Sequence, residues 1–280
     1  MRLTKRIVML LTSVAFLGWR GAHRAAARLV GWRMRGRPVV ALTYHSVDAG
    51  TAAGFEWQMR QIKGRSRPVF ANDATRADGP PSPSVAVTFD DAFQSVLDHA
   101  LPILERHGIP ATIFVPTGHM GGDAAWIHSA DARRRLGPVA SADALRALDP
   151  RRVRIGSHTV THPRLAGLDD IRLHAELTTS KATLERITGG RIAMLALPYG
   201  SWSSNVVAAA RRAGYDHVFA NVPMAPDRDA PTILVGRVDV SPQDWRLEFR
   251  LKMQGAYAWM ALAVPAKQEV LKVLGRVQEA

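Results

Sequence analysis

The chain has 280 residues, 47% hydrophobic and 22% charged, with no cysteine. That much apolar material excludes a wholly disordered chain, and the missing cysteine excludes disulfides, thiolate metal ligands and a thiol nucleophile. The net charge is +13, but nine of the 37 Lys+Arg and none of the 24 Asp+Glu fall in residues 1–37, so the remainder is near neutral and no nucleic acid is expected as a partner.

In chain order, residues 1–36 form a basic, apolar leader. Ile7 to Trp19 is a 13-residue, mainly apolar run between Arg2, Lys5 and Arg6 on one side and Arg20 on the other. A membrane-crossing helix needs about 20 such residues. Three readings stay open. The leader is an uncleaved segment on an anionic membrane surface, with Trp19 and Trp32 at the boundary. It is a secretory signal, although the small-x-small cleavage site is poor. Or it is a helix packed on the protein's own body. Membrane association is the leading expectation for location, and export to the periplasm the second.

From Pro38 onward, short apolar runs alternate with helical patterns. The expected strands are Val39–Thr43, Val85–Phe89, Thr112–Val115, Val153–Gly156, Ile192–Leu197, His217–Ala220 and Ile233–Val238, rich in Val, Ile and Phe as for strands covered on both faces. The expected helices are Phe93–His107, ending at Gly108; Leu168–Ile187, with Leu173, Leu177 and Leu184 on one stripe; and Asn205–Ala213, ending at Gly214. Ala71–Ser84, with its glycine and prolines, reads as a loop. The tail from Trp245 carries Leu247, Leu251, Val270, Leu271 and Leu274 at helical spacing, interrupted by Gly255 and Pro265. It is expected to close one side of the body or touch the membrane. The β-α alternation predicts an α/β fold with a parallel sheet, and seven strands point to a barrel. The domains expected are the leader 1–36, a catalytic body 37–245 and a helical extension 246–280.

Two clusters carry chemistry. Asp90 and Asp91 directly follow the run Val85–Phe89, and in parallel α/β folds the C-terminal strand ends form the active face. Adjacent carboxylates there are costly without positive charge nearby. His158 and His162 follow the run Val153–Gly156. Four residues apart, they share a face if they lie on one helical turn, and could then reach one metal ion. A carboxylate and two histidines leave room for water, a hydrolytic layout.

These motifs resemble the polysaccharide deacetylases, the NodB-homology or carbohydrate esterase family 4 group. Thr88-Phe89-Asp90-Asp91-Ala92 is similar to the family's first motif, His158-Thr159-Val160-Thr161-His162 to its second, and Leu197-Pro198-Tyr199-Gly200 to the end of its third. Leu42-Thr43-Tyr44-His45, Leu101-Pro102-Ile103-Leu104 and Pro110–Val115 are also family-like. The resemblance covers about residues 38–245 and implies a distorted (β/α)7 barrel, TIM-like and in a circularly permuted order. It implies that Asp91, His158 and His162 hold a divalent metal, most often zinc, and that Asp90 is the general base. It implies that the Tyr199 N–H helps hold the oxyanion, with Pro198 and Tyr199 in the substrate-binding motif. Trp202 is the best candidate for stacking on a sugar face, with Trp126 second and Asp244-Trp245 a weak rim candidate.

The departures from the family pattern also carry expectations. Ala92 replaces a glycine, a change that asks only for a φ alanine tolerates. Leu195 stands where an arginine usually orients the base, and Arg237 is the candidate substitute. The late Leu-x-His motif that supplies the general acid is missing. His45 is the candidate for that role, ahead of His119 and His217. The function implied is removal of an acetyl group from an N-acetylhexosamine in a glycan. Alternatives are a deformylase or deacetylase of a lipid-linked sugar, and a silent glycan-binding module, the latter motivated by the missing arginine and histidine.

Overall fold

The computed structural model describes residues 3–29, 39–75, 84–223 and 233–261. In chain order the elements are α1 (Leu3–Leu29), β1 (Val40–Tyr44), α2 (Ala52–Arg65), β2 (Arg67–Val69), β3 (Ser84–Phe89), α3 (Leu101–His107), β4 (Ala111–Val115), α4 (Ala130–Leu136), α5 (Ala142–Arg146), β5 (Val153–Ser157), α6 (Asp170–Thr188), β6 (Met194–Ala196), α7 (Ser204–Arg212), β7 (His217–Ala220), β8 (Ile233–Asp239) and α8 (Arg246–Met253).

All strand pairings are parallel. The ring runs β1-β8-β7-β6-β5-β4-β3, and β1 closes it onto β3 through Val40↔Val85 to Tyr44↔Phe89. This is the expected closed seven-stranded barrel. The short β2 is an addition that lies along the first half of β3, where β4 does not reach. Alternation along each strand divides the apolar side chains in two. Val40, Leu42, Tyr44, Val85, Val87 and Phe89 join the large cluster beneath the helices. Ala41, Ala86, Phe114, Ala196 and Phe219 form a smaller one inside the ring. Alanines at the inner positions leave space there, which the bulky Arg237 enters between Phe114 and Phe219.

The α6 helix is as expected: Leu173, Leu177 and Leu184 are buried, the Asp169 side chain caps its start and Gly189 its end with φ 68°. The Phe93–His107 pattern is not one α-helix. Its first half is a π-helical turn, Val96–Ala100, before α3 begins. Pro102 has no N–H to donate, so the α register cannot run through it unbroken. The Ala71–Ser84 loop opens with a 3-10 turn, Ala71–Thr75, and Ser84 already belongs to β3; its prolines lie outside the described residues, as do Trp32 and the tail positions Pro265, Val270, Leu271 and Leu274.

Part of α1 rests on the body. Met9, Leu10 and Leu17 pack against the large cluster. Arg6 donates to the buried Glu248 (2.6 Å), the Trp259 indole donates to the Ser13 hydroxyl (2.9 Å), and Arg20 donates to the Gly255 carbonyl (2.9 Å). No helix among the described residues is long and apolar enough to cross a membrane.

Candidate metal centre and active site

In a parallel barrel every strand delivers its C-terminal end to the same mouth. Here β1 delivers His45, β3 delivers Asp90 and Asp91, and β5 delivers the segment from His158 to His162. The turn after β6 delivers Tyr199, and β7 delivers Asn221. Seven of the residues around a cavity of about 400 Å³ are these: His45, Asp90, Asp91, His158, His162, Tyr199 and Asn221.

Asp91, His158 and His162 are all buried, and one ligand atom from each lies within 4.8 Å of the others. The His158 Nδ1 is 2.9 Å from the Ala196 carbonyl. A carbonyl can only accept, so Nδ1 carries the proton and the Nε2 lone pair is left facing Asp91 Oδ1, 3.6 Å away. His162 Nε2 is 3.2 Å from the same oxygen. Burial lowers the His158 pKa against the opposing pull of Asp90 and Asp91, which favours the neutral imidazole a metal needs. Asp91 Oδ1 is buried with no hydrogen-bond partner. A carboxylate oxygen orphaned between two imidazole nitrogens fits a divalent cation, and two nitrogens with one oxygen suit zinc among others.

The two histidines do not meet across a helical turn as their spacing suggested. Residues 158–162 form a loop in which Thr159 (φ 69°) and His162 (φ 61°) are left-handed. Side chains hold this shape. Thr159 N–H donates to Ser157 Oγ, and His162 N–H donates to Thr159 Oγ1, both at 3.1 Å. Glu176 of α6 accepts from the N–H groups of Val160 (2.7 Å) and Thr161 (3.0 Å) and from the Thr161 hydroxyl (2.5 Å). The helix thus fixes the ligand loop from outside the barrel.

Asp90 is 1% exposed and Arg237 is fully buried. The guanidinium meets the carboxylate with two parallel bonds, Nη1 to Oδ1 and Nη2 to Oδ2, each 2.7 Å. It also donates to Asn221 Oδ1 (2.6 Å) and Thr88 Oγ1 (3.2 Å). Burial pushes the Asp90 carboxyl up, but the charge and hydrogen bonds of the Arg237 guanidinium outweigh it and hold Asp90 well below the usual carboxylate range. Leu195, in the position where the arginine was missed, is a buried strand residue pairing with Val218. The charge comes instead from β8.

Ala92 is in the left-handed region at φ 50°, and its carbonyl accepts from Ala140 N–H at 2.8 Å. The missing glycine is therefore not a neutral change: alanine is held where glycine is at ease. Tyr199 is also left-handed (φ 57°), within the 3-10 turn Pro198–Gly200. Its ring is edge-on to His162 at 4.8 Å, under the Arg164 guanidinium. On the other side Trp126 stacks on His162 at 4.5 Å and 20°. Trp126 is thus a wall of the cavity beside His162.

His45 lines the cavity, is about half exposed, and has Nδ1 3.8 Å from Asp239 Oδ1. Pro198 is buried and does not line the cavity, so it shapes the Tyr199 turn. Trp202 is 44% exposed and stands outside the cavity wall. Asp244 is buried and paired with Lys252 at 2.7 Å, and Trp245 lies against Arg6, so this pair serves the packing of α8 and α1 and does not line the cavity. His217 opens β7 at the opposite end of the barrel, and His119 packs edge-on against Trp126. Asn221 and Glu176 escaped sequence reasoning. Asn221 had a signal, as a polar residue directly after a strand. Glu176 had none, since it acts from a helix 15 residues past the loop it holds.

The family model described as polysaccharide deacetylase matches residues 77–218. YxkH of Bacillus subtilis (strain 168) is 26% identical over 211 residues, 72% of this chain and 71% of its own length. The chitooligosaccharide deacetylase of Bradyrhizobium sp. (strain ANU 289) is 29% identical over 149 residues, 52% of this chain and 60% of that protein. The chain spans less than two thirds of that relative. Among solved structures, IcaB from Ammonifex degensii superposes with a TM-score of 0.63 at 24% identity, covering 78% of this chain and 98% of that one. The Streptococcus pyogenes deacetylase PplD, in complex with acetate, gives 0.63 at 19% identity, covering 77% and 97%. At these identities the superpositions speak for the shared barrel alone.

Proposed function

The chain belongs to the polysaccharide deacetylase family, and we propose that it is a metal-dependent hydrolase that removes the acetyl group from an N-acetylhexosamine of a glycan, releasing acetate. The observation that carries this reading is the buried Asp91-His158-His162 trio beside an Asp90 held ionised by Arg237, at one cavity mouth. Names among the relatives support the substrate class: one is a chitooligosaccharide deacetylase.

Asp91 Oδ1, His158 Nε2 and a His162 ring nitrogen would hold the cation. When bound, it supplies Lewis-acid polarisation of the acetyl carbonyl and lowers the pKa of a water molecule toward ~7. Asp90 takes the proton from the water that attacks the carbonyl carbon. Arg237 holds Asp90 as a carboxylate, the form that can accept that proton. The Tyr199 N–H donates to the oxygen on which negative charge develops, a contribution of about 3–4 kcal/mol in comparable sites. As the C–N bond breaks, His45 gives a proton to the leaving amine. An arginine from β8 paired with Asp90 answers one of the two motives for a silent binding module, and His45 is the candidate answer to the other.

The test is acetate release from a panel of N-acetylated and N-formylated oligosaccharides. Wild type is expected to release acetate, and Asp90→Asn and His158→Ala to lose at least about 10²-fold in turnover. His45→Ala is expected to lose turnover while metal content stays normal. Hydrolysis untouched by the first two substitutions would refute the site, and formate released in preference to acetate would refute the acyl group.

A further inference from the structure

The α1 helix has two apolar faces, and the body uses only one. Arg6, Met9, Leu10, Ser13, Leu17 and Arg20 are turned toward the protein. Their spacing of three and four residues makes one stripe. On the helix's other sides, Ile7, Val8, Leu11, Val14 and Trp19 are 41–63% exposed. No charge falls among the residues from Ile7 to Trp19; Lys5 and Arg6 precede them and Arg20 follows. Scattered apolar residues on a surface need no explanation, but a continuous uncharged helix face bounded by cations does.

The direction of the helix is set by its bonds. Arg6 reaches Glu248 and Gln243, which follow the exit of β8 at the cavity end. Arg20 reaches Gly255, which sits against Val40 at the start of β1, the other end of the barrel. The helix therefore runs down the barrel's flank. The uncharged stretch is about 20 Å long at 1.5 Å per residue, too short for a bilayer core of about 30 Å. Held to the body through Arg6, Ser13 and Arg20 on one side, it can only lie flat.

We propose that this outward face of α1 is a docking surface for an anionic lipid membrane, on which the barrel lies with its flank down. Charge complementarity selects this occupant. The first 37 residues contain nine cations and no acid, and among the described side chains Lys5 is exposed while Arg6 and Arg20 bind the body. The two acids of the body nearest α1, Asp244 and Glu248, are buried and already engaged by Arg6 and Lys252. Nothing acidic on this helix opposes anionic headgroups, and Trp19, 60% exposed at the end of the apolar run, has the amphipathic ring that favours the interface. Because the helix begins at the cavity end of the barrel, a membrane on it would lie beside the mouth and favour glycan held close to the lipid surface.

The test is flotation of the full chain with phosphatidylcholine vesicles, with and without phosphatidylglycerol. The anionic vesicles are expected to carry about tenfold more protein than the neutral ones. The double variant Val8→Asp/Leu11→Asp is expected to stay in solution, with far-UV circular dichroism and Tm unchanged because both side chains face solvent. Lys5→Glu is expected to weaken the preference for anionic vesicles. Wild type that ignores both vesicle types would overturn the proposal. So would a wild-type dimer in analytical ultracentrifugation that the double variant splits, since the face would then serve a second copy of the chain.

Discussion

Arg237 and Asp90 show how a buried charge is made usable. Both side chains are almost wholly buried, and an isolated ion there would cost several kcal/mol. Two parallel bonds of 2.7 Å pair the ions, and Asn221 and Thr88 take further guanidinium donors, while Arg237 Nε stays without a partner. Arg237→Met is therefore expected to cost about 3–5 kcal/mol in urea unfolding, because it strands the Asp90 carboxyl. Arg237→Lys keeps the charge but not the planar fork, so it is expected to recover part of the stability and little of the turnover. Wild-type midpoints in both variants would contradict the pairing. Ala92 makes the opposite kind of prediction. Alanine at φ 50° costs about 1–2 kcal/mol relative to a relaxed residue. Glycine removes that strain and gives back about 0.5–1 kcal/mol in unfolded-chain entropy. Ala92→Gly is thus expected to be neutral or stabilising by up to about 1 kcal/mol, read as an unchanged or raised urea midpoint. A clear loss would mean that the buried methyl matters more than the strain.

At the scale of elements, the ligand loop depends on a helix that touches no ligand. Glu176 takes three donors from Val160 and Thr161 and so fixes the path between the two histidines. Outer partners of this kind typically control metal affinity by 10–100-fold. Glu176→Ala is expected to weaken zinc binding by about 10-fold or more in equilibrium dialysis, with Glu176→Gln intermediate, since an amide oxygen still accepts. Equal affinity in all three proteins would show that the loop holds itself. The same element explains a limit of pattern reading. His-x-x-x-His spacing fits a helical turn, but two left-handed residues bring the imidazoles together differently, and side-chain bonds from afar leave no trace in local sequence.

Across the whole molecule, six of the seven ring strands were legible as Val-, Ile- or Phe-bearing runs, and β6, Met-Leu-Ala, as the middle of the apolar run Ile192–Leu197. The β2 strand was not, since its three residues include Arg67 and Pro68 and read as a break. The α2 helix was obscured by Gly54 and Gly64 within it. The site was legible where it follows strands directly: Asp90, Asp91, His158, His162 and Tyr199 converge on one mouth, joined by His45 from β1. Arg237 was reachable only as the cation a buried aspartate pair requires. Trp202 and Pro198 stand outside the cavity wall, because a motif names neighbours in sequence and the turn after β6 points only Tyr199 at the cavity. The charge of +13 resolves in the same way: the leader carries most of it, and the cavity end needs only a few placed cations.

Closure of the ring brings Asp91, His158 and His162 from two strand ends to one mouth, and if they hold the proposed metal, hydrolysis follows its occupancy. The direct measurement is acetate release from N-acetylglucosamine oligomers by chelator-treated protein as zinc is added back. Turnover is expected to be absent at the start and to rise to a plateau at about one zinc per chain, with Asp90→Asn binding the same zinc but staying inactive. Full acetate release by the metal-free protein would contradict the account.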